Sequence, residues 1–101
     1  YAARLSTTEA HHTRLTRAFS GRAGRAIRTR YVEAAAAPGA PPPAPYPVQR
    51  GLTRPMREDA GAANDPERMQ MWAGQAARLA KAEPAASLLQ AWWPEALRYL
   101  R

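Results

Sequence analysis

The stretch Leu15-Thr16-Arg17-Ala18-Phe19-Ser20-Gly21-Arg22-Ala23-Gly24-Arg25-Ala26-Ile27 decides how this chain is read. Its first half alternates. Leu15, Arg17 and Phe19 point one way and Thr16 and Ala18 the other, the period of a short strand. After Gly21 the spacing of Ile27, Tyr31 and Val32 suits one helix face and predicts a helix over residues 22–37. Ser20-Gly21 marks the join: serine offers a cap to the incoming helix and glycine tolerates a tight turn. Two small residues there also let a backbone pass close to a ligand or a neighbouring element. The rest of the chain reads as helices hung from this strand-turn-helix.

With 101 residues the chain makes one small domain at most. It has no cysteine, which excludes a disulfide framework, a thiol nucleophile and a thiolate metal site. No apolar run approaches the ~20 residues of a membrane-crossing helix. The N-terminus lacks a charged-then-apolar secretory pattern, and the expected location is the cytoplasm. The hydrophobic fraction of 46% is largely alanine, and phenylalanine occurs once. Bulky apolar residues gather late: Trp72, Leu79, Leu88, Leu89, Trp92, Trp93, Leu97 and Leu100. At about 25 cal/mol per Å² of buried apolar surface, alanine gains little against ordering entropy, so a well-packed core from this chain alone is not expected.

The net charge of +7 is uneven. Residues 1–33 hold seven arginines against Glu9 and Glu33, whereas residues 50–70 balance four arginines with four acids. Arginine outnumbers lysine fourteen to one. Such a bias, with abundant alanine and proline, often follows a GC-rich coding sequence, although a basic patch also binds nucleic acid through counterion release.

Ser6 and Glu9 stand at capping-box spacing. His11 and His12 are adjacent, so they share a face on neither a helix nor a strand, and a common metal is not expected. Arg22, Arg25 and Arg28 recur every third residue, and Arg22 or Arg25 is expected to pair with an acid elsewhere. Pro38 to Pro47 holds six of the ten prolines and reads as an extended connector. Residues 48–63 read as an interrupted helix with Thr53 capping its second part and Asn64-Asp65-Pro66 turning away. Pro66 to Met71 is expected to open another helix that carries Trp72-Ala73-Gly74-Gln75-Ala76. Glycine inside a helix costs about 1 kcal/mol relative to alanine, so Gly74 suggests a close approach by some other group. Pro84 suits the start of the last helix, whose Leu88, Leu89, Trp92 and Trp93 make an apolar face and whose run Pro94 breaks or kinks.

Two blocks carry a family resemblance. Thr16-Arg17-Ala18-Phe19-Ser20-Gly21-Arg22, Arg25 and Arg30-Tyr31 resemble a late segment of the nitronate monooxygenases, or 2-nitropropane dioxygenases, T-x-x-F-S-G-R-P-A-R-G followed by N-R-F. Ala23, Gly24 and Thr29 depart from it, standing for proline, alanine and asparagine. The second block is Tyr46-Pro47, then Met71-Trp72-Ala73-Gly74-Gln75, then Pro84-Ala85-Ala86 with Leu88 and Leu89. Order and spacing resemble the end of those proteins.

The resemblance implies a mainly α fragment of the helical region that accompanies a flavin-binding (β/α)8 barrel: 1–37 a strand-turn-helix, 38–47 a Pro-rich linker, 48–101 a helical region. It implies FMN for the full-length protein, O2-dependent oxidation of alkyl nitronates to a carbonyl compound and nitrite, and the barrel portion as partner. Ser20, Gly21, Gly74 and Gln75 are the candidate flavin-proximal residues, with no catalytic residue and no metal ligand assigned. A barrel takes about 250 residues. The phosphate-binding glycines and the catalytic base are therefore expected upstream of residue 1, His11 and His12 inherit no catalytic role, and the chain alone is expected neither to hold FMN tightly nor to turn over. Two other classes stay open: a basic nucleic-acid-binding protein using Arg14 to Arg30, which the resemblance does not favour, and an interaction module with a Pro-rich spacer and a Trp-rich docking helix.

Overall fold

The computed structural model describes residues 1–100. In chain order the elements are α1 (Ala2–Ser6), a 3-10 turn (Ala10–His12), β1 (Thr13–Thr16), β2 (Gly24–Ile27), α2 (Arg30–Ala35), α3 (Val48–Leu52), α4 (Arg54–Ala62), a second 3-10 turn (Ala77–Leu79) and α5 (Ala85–Leu97). The chain is mainly helical, around a small sheet. β1 and β2 pair antiparallel, Thr13 opposite Ile27 and Thr16 opposite Gly24. On its other edge β2 is bridged by an extended segment, Ala26 opposite Trp72. The Ile27 amide donates to the Met71 carbonyl at 2.9 Å and the Ala73 amide to Arg25 at 3.1 Å. β2 is thus the central line of the structure, held by hydrogen bonds on both sides.

The helix expected over residues 22–37 is not formed as one piece. Residues 24–27 are a strand, and helix begins only at Arg30. Alanine and arginine propensity favours helix weakly, and tertiary pairing overrides it. β2's polar groups are satisfied by β1 on one side and by residues 71–73 on the other. The cap is likewise not Ser20: the Thr29 side chain accepts from the Val32 amide at the start of α2. The join is strand, turn, strand, then helix.

Two further expectations of helix are corrected. Residues 66–69 form turns and a bend, and Met71 to Ala73 is extended, so Met69 and Trp72 do not share a helix face. Of the Trp72–Ala76 stretch, Trp72 and Ala73 lie along β2, and Gln75-Ala76 turn into the second 3-10 turn. Elsewhere the reading agrees in part. Thr53 divides α3 from α4, with Pro55 in the first turn of α4, but the cap expected of the Thr53 side chain is not made. Asn64 ends α4 with φ of +50°. The Asn64 amide reaches the Gly61 carbonyl and the Asp65 amide the Ala60 carbonyl, a Schellman closure in which asparagine takes the left-handed position. The break expected at Pro94 does not occur: α5 runs through it from Ala85 to Leu97, and none of its residues is buried.

The core is small. Phe19, Ala26 and Val32 form one buried cluster, flanked by Tyr31, Met56 and Trp72. Ile27, Met71 and Ala73 form the other, flanked by Leu5, Met69 and Ala77. Half of the buried apolar residues are alanines, which is what the composition allows. α1 packs against the second 3-10 turn, so the early and late parts of this body meet. No described helix is long and apolar enough to cross a membrane.

Candidate functional site

The turn between β1 and β2 is tied from within. The Ala18 amide donates to Thr16 Oγ1 at 3.0 Å, the Gly21 amide to the Arg17 carbonyl at 2.8 Å, and the Arg22 amide to Ser20 Oγ at 3.3 Å. Arg17 donates to the Gly21 carbonyl at 3.1 Å. These bonds send Phe19 inward, where 1% of it stays exposed. Ser20 is buried and its hydroxyl serves the turn. Gly21 has φ of +88°, and a Cβ there would lie 2.5–2.8 Å from the backbone of Ala44, Pro45 and Tyr46. The Pro-rich stretch therefore crosses directly over Gly21. Arg22 lies over the Tyr46 ring, 4.2 Å from its centroid, a cation–π contact.

The second block meets the first at Phe19. The Trp72 ring stands edge-on to Phe19 with centroids 5.8 Å apart, and Tyr31 closes the other side at 5.1 Å. Gly24 makes room for the indole: a Cβ there would lie 2.7 Å from Trp72 Cζ3. From Trp72 the chain passes buried Ala73 and emerges at Gly74 and Gln75, both exposed. A Cβ at Gly74 would meet nothing within 4 Å. The structure thus joins the two motif blocks through Phe19 and Trp72, with Ser20-Gly21 covered by the chain and Gly74-Gln75 open.

Several supports were missed by sequence reasoning. Thr53 Oγ1 donates to the Phe19 carbonyl at 2.7 Å, clamping the turn to the α3–α4 junction. The Ala18 carbonyl accepts from Gln49 Nε2 at 2.7 Å and from the Tyr31 hydroxyl at 2.9 Å, and burial pushes the Tyr31 phenol above its ordinary pKa. Glu67 accepts from the Arg30 amide at 2.8 Å and pairs with Arg4 at 3.4 Å. These long-range partners leave no periodic trace in the sequence. Nor do Arg22 and Arg25 take the acids expected of them. Arg25 donates to Thr13 Oγ1 at 3.1 Å, and it is Arg28 that grips Glu33, at 2.8 and 3.1 Å, with Arg14 behind at 3.4 Å. The Arg28 hydrogen bond, reinforced by Arg14, holds the Glu33 carboxyl below the usual range. The His11 and His12 rings lie against each other in the first 3-10 turn, tilted by 52° with centroids 4.0 Å apart. Among the described residues every buried side-chain nitrogen or oxygen has a hydrogen-bond partner, so any ligand-facing group is at the surface.

Comparison with known proteins agrees with this arrangement of the two blocks. The family model described as nitronate monooxygenase matches residues 2–95. This chain belongs to the nitronate monooxygenase family. It is 39% identical over 90 residues to a nitronate monooxygenase of Pseudomonas aeruginosa, covering 89% of this chain and 26% of that protein. It is 38% identical over 77 residues to a probable nitronate monooxygenase of Staphylococcus aureus strain Newman, covering 76% of this chain and 21% of that one. Among solved structures it superposes on nitroalkane oxidase from Streptomyces ansochromogenes with a TM-score of 0.74 and 41% identity, over 88% of this chain and 25% of that one. The chain spans about a quarter of the length of the curated relatives it matches.

Proposed function

We propose that this nitronate monooxygenase chain is the part of an FMN-dependent enzyme that covers the flavin and shapes the substrate pocket, acting with a (β/α)8 barrel portion and inactive by itself. The observation that carries the reading is the outward course of Gly74-Gln75 from a rigid base. Trp72 is fixed on Phe19 and strand-bonded to β2, so the two residues after Ala73 are presented at a defined edge. Gly74 leaves room for a planar ring, and the Gln75 amide supplies both a donor and an acceptor for ring or substrate oxygens. Ser20 and Gly21 belong to the same proposed site at one remove. Their hydroxyl and left-handed backbone set the turn that places Phe19, and Phe19 places Trp72.

The donor set suits the rim of a bound flavin; it holds no cradle for the phosphate, which the barrel is proposed to supply. When bound, FMN supplies the electron-accepting chemistry, and O2 turns an alkyl nitronate into a carbonyl compound and nitrite. What this chain's residues do is exclude water and orient the nitronate against the ring.

The test is complementation. The Pseudomonas aeruginosa relative, expressed without the quarter that matches this chain, is loaded with FMN and assayed for nitronate-dependent oxygen uptake before and after adding this chain. Restored uptake is expected, together with no flavin absorbance retained by this chain alone after gel filtration. Stoichiometric FMN on the isolated chain would overturn the reading.

A further inference from the structure

We propose that α1 with its flanking residues is the positioning element of the Gly74-Gln75 edge, a role that rests on the reading of that edge as flavin-facing. Tyr1, Leu5 and Glu9 fasten the chain on both sides of those two residues. Gly74, Gln75 and Ala76 form an exposed arch with no side chain buried in the body. Glycine restricts its own backbone less than any other residue, so the shape of such an arch is set at its two feet. β2 holds the first foot, where the Ala73 amide reaches the Arg25 carbonyl at 3.1 Å. Beyond Ala73 the backbone bonds turn local: the Ala77 amide donates to the Gly74 carbonyl at 3.1 Å and the Leu79 amide to the Ala76 carbonyl at 2.9 Å. These bonds shape the arch without tying its far foot to the sheet.

The N-terminal residues supply that tie and reinforce the first foot as well. The Tyr1 hydroxyl donates to the carbonyl of Trp72, just ahead of Ala73 and Gly74. One turn on, Leu5 packs on the cluster of Ile27, Met71 and Ala73, and Ala77 packs on the same cluster from beyond the arch. Past the helix, Glu9 reaches Arg78 at 3.5 Å, next to Ala77. α1 thus lies against the 3-10 turn in which the arch ends. α1 is itself held: Arg4 donates to Glu67 at 3.4 Å, and the other oxygen of Glu67 accepts from the Arg30 amide at 2.8 Å. Of the three fastenings Leu5 holds the most, because an exposed ion pair is worth little and apolar packing is not screened. The arrangement matters for chemistry because an amide that orients a substrate tolerates little displacement. An error of about 1 Å costs up to roughly 100-fold in rate.

Two variants of the full chain test this. Tyr1→Phe/Glu9→Gln removes one surface fastening at each foot and is expected to keep the urea midpoint. Leu5→Ala thins the packing between α1 and the arch, and Leu5→Met is expected to restore it. In the chain alone, amide hydrogen exchange at Ala77 and Leu79 is expected to be at least about threefold faster in both variants, with Ile27 and Ala73 unchanged in Tyr1→Phe/Glu9→Gln. In the complementation assay with the truncated Pseudomonas aeruginosa relative, both variants are expected to lower kcat/KM for the nitronate about three- to tenfold. Combined with Gln75→Ala they are expected to lower it no further, since the positioning acts through Gln75. Unchanged exchange at Ala77 and Leu79 overturns the proposal, and so does a rate loss that multiplies with that of Gln75→Ala, as a merely structural role would give. The exchange measurement needs no flavin, so its failure strikes the role of α1 alone. Failure of the unsubstituted chain to restore oxygen uptake strikes the flavin-covering role instead.

Discussion

Three glycines separate three physical situations. Gly21 adopts φ of +88° with backbone packed over it, Gly24 lies under the Trp72 ring, and Gly74 faces open space. Alanine at Gly21 therefore meets both backbone strain and a carbonyl that cannot yield, and costs more than the ~1–3 kcal/mol of ordinary overpacking. Gly24→Ala belongs inside that range, because an indole can tilt. Gly74→Ala is expected to leave the urea midpoint unchanged while lowering oxygen uptake in the complemented enzyme. Equal destabilisation at all three sites would refute the assignment of roles. Thr53→Val keeps the shape and removes the donor to the buried Phe19 carbonyl, and should cost about 1–3 kcal/mol by chemical denaturation. At this scale the sequence was partly legible. Ser20-Gly21 announced a turn from residue type alone, but nothing local to Thr53 or Gln49 names partners more than thirty positions away.

At the scale of elements, the pairing of β2 explains the largest misreading. Gly24-Arg25-Ala26-Ile27 has too little bulk to show a strand's alternation, and its identity is conferred by β1 and by Met71–Ala73. By contrast the boundary at Thr53, the turn at Asn64 and the start at Pro84 were all visible, because proline and asparagine act through their own backbones. Short α2 is tied to the residue that follows β2 by the Arg28–Glu33 pair, and the loop after α4 is held by Asp65 with Arg68. Both carboxyl pKa values are held low, by hydrogen bonds first from Arg28 and from Arg68 respectively. Each contribution to stability is complete above the unfolded values, about 4.3 for glutamate and 3.9 for aspartate, and disappears as pH falls through the lower folded values. Melting temperature should therefore hold on this account from neutral pH to about 5 and decline below about 4. The Glu33→Gln/Asp65→Asn variant should show a shallower acid decline; an unchanged slope would exclude both pairs. Because these groups are solvated, the effect is modest and shrinks in salt.

For the whole molecule, the body is organised around one phenylalanine and one tryptophan. Phe19→Ala removes the contact on which both motif blocks converge. A loss of about 3–5 kcal/mol is expected of a core aromatic, enough to unfold a domain this small. Circular dichroism and proteolysis would report it. Deleting residues 84–101 should leave the melting temperature of the remainder nearly unchanged, since no residue of α5 is fully buried. A large drop would mean that α5 is part of the core after all. The family was legible in the sequence because its motifs are local. How the motifs touch was not, because that depends on an antiparallel bridge between residues 26 and 72.

That bridge has a consequence for biosynthesis. A ribosome delivers β2 long before it delivers Met71–Ala73, so one edge of the central strand stays unpaired while dozens of residues are still being added. Until then the nascent chain exposes Phe19 without its indole neighbour, in the state where chaperones and proteases compete for it. Synonymous changes that slow synthesis after β2 are therefore expected to lower the amount of soluble protein without altering a single residue.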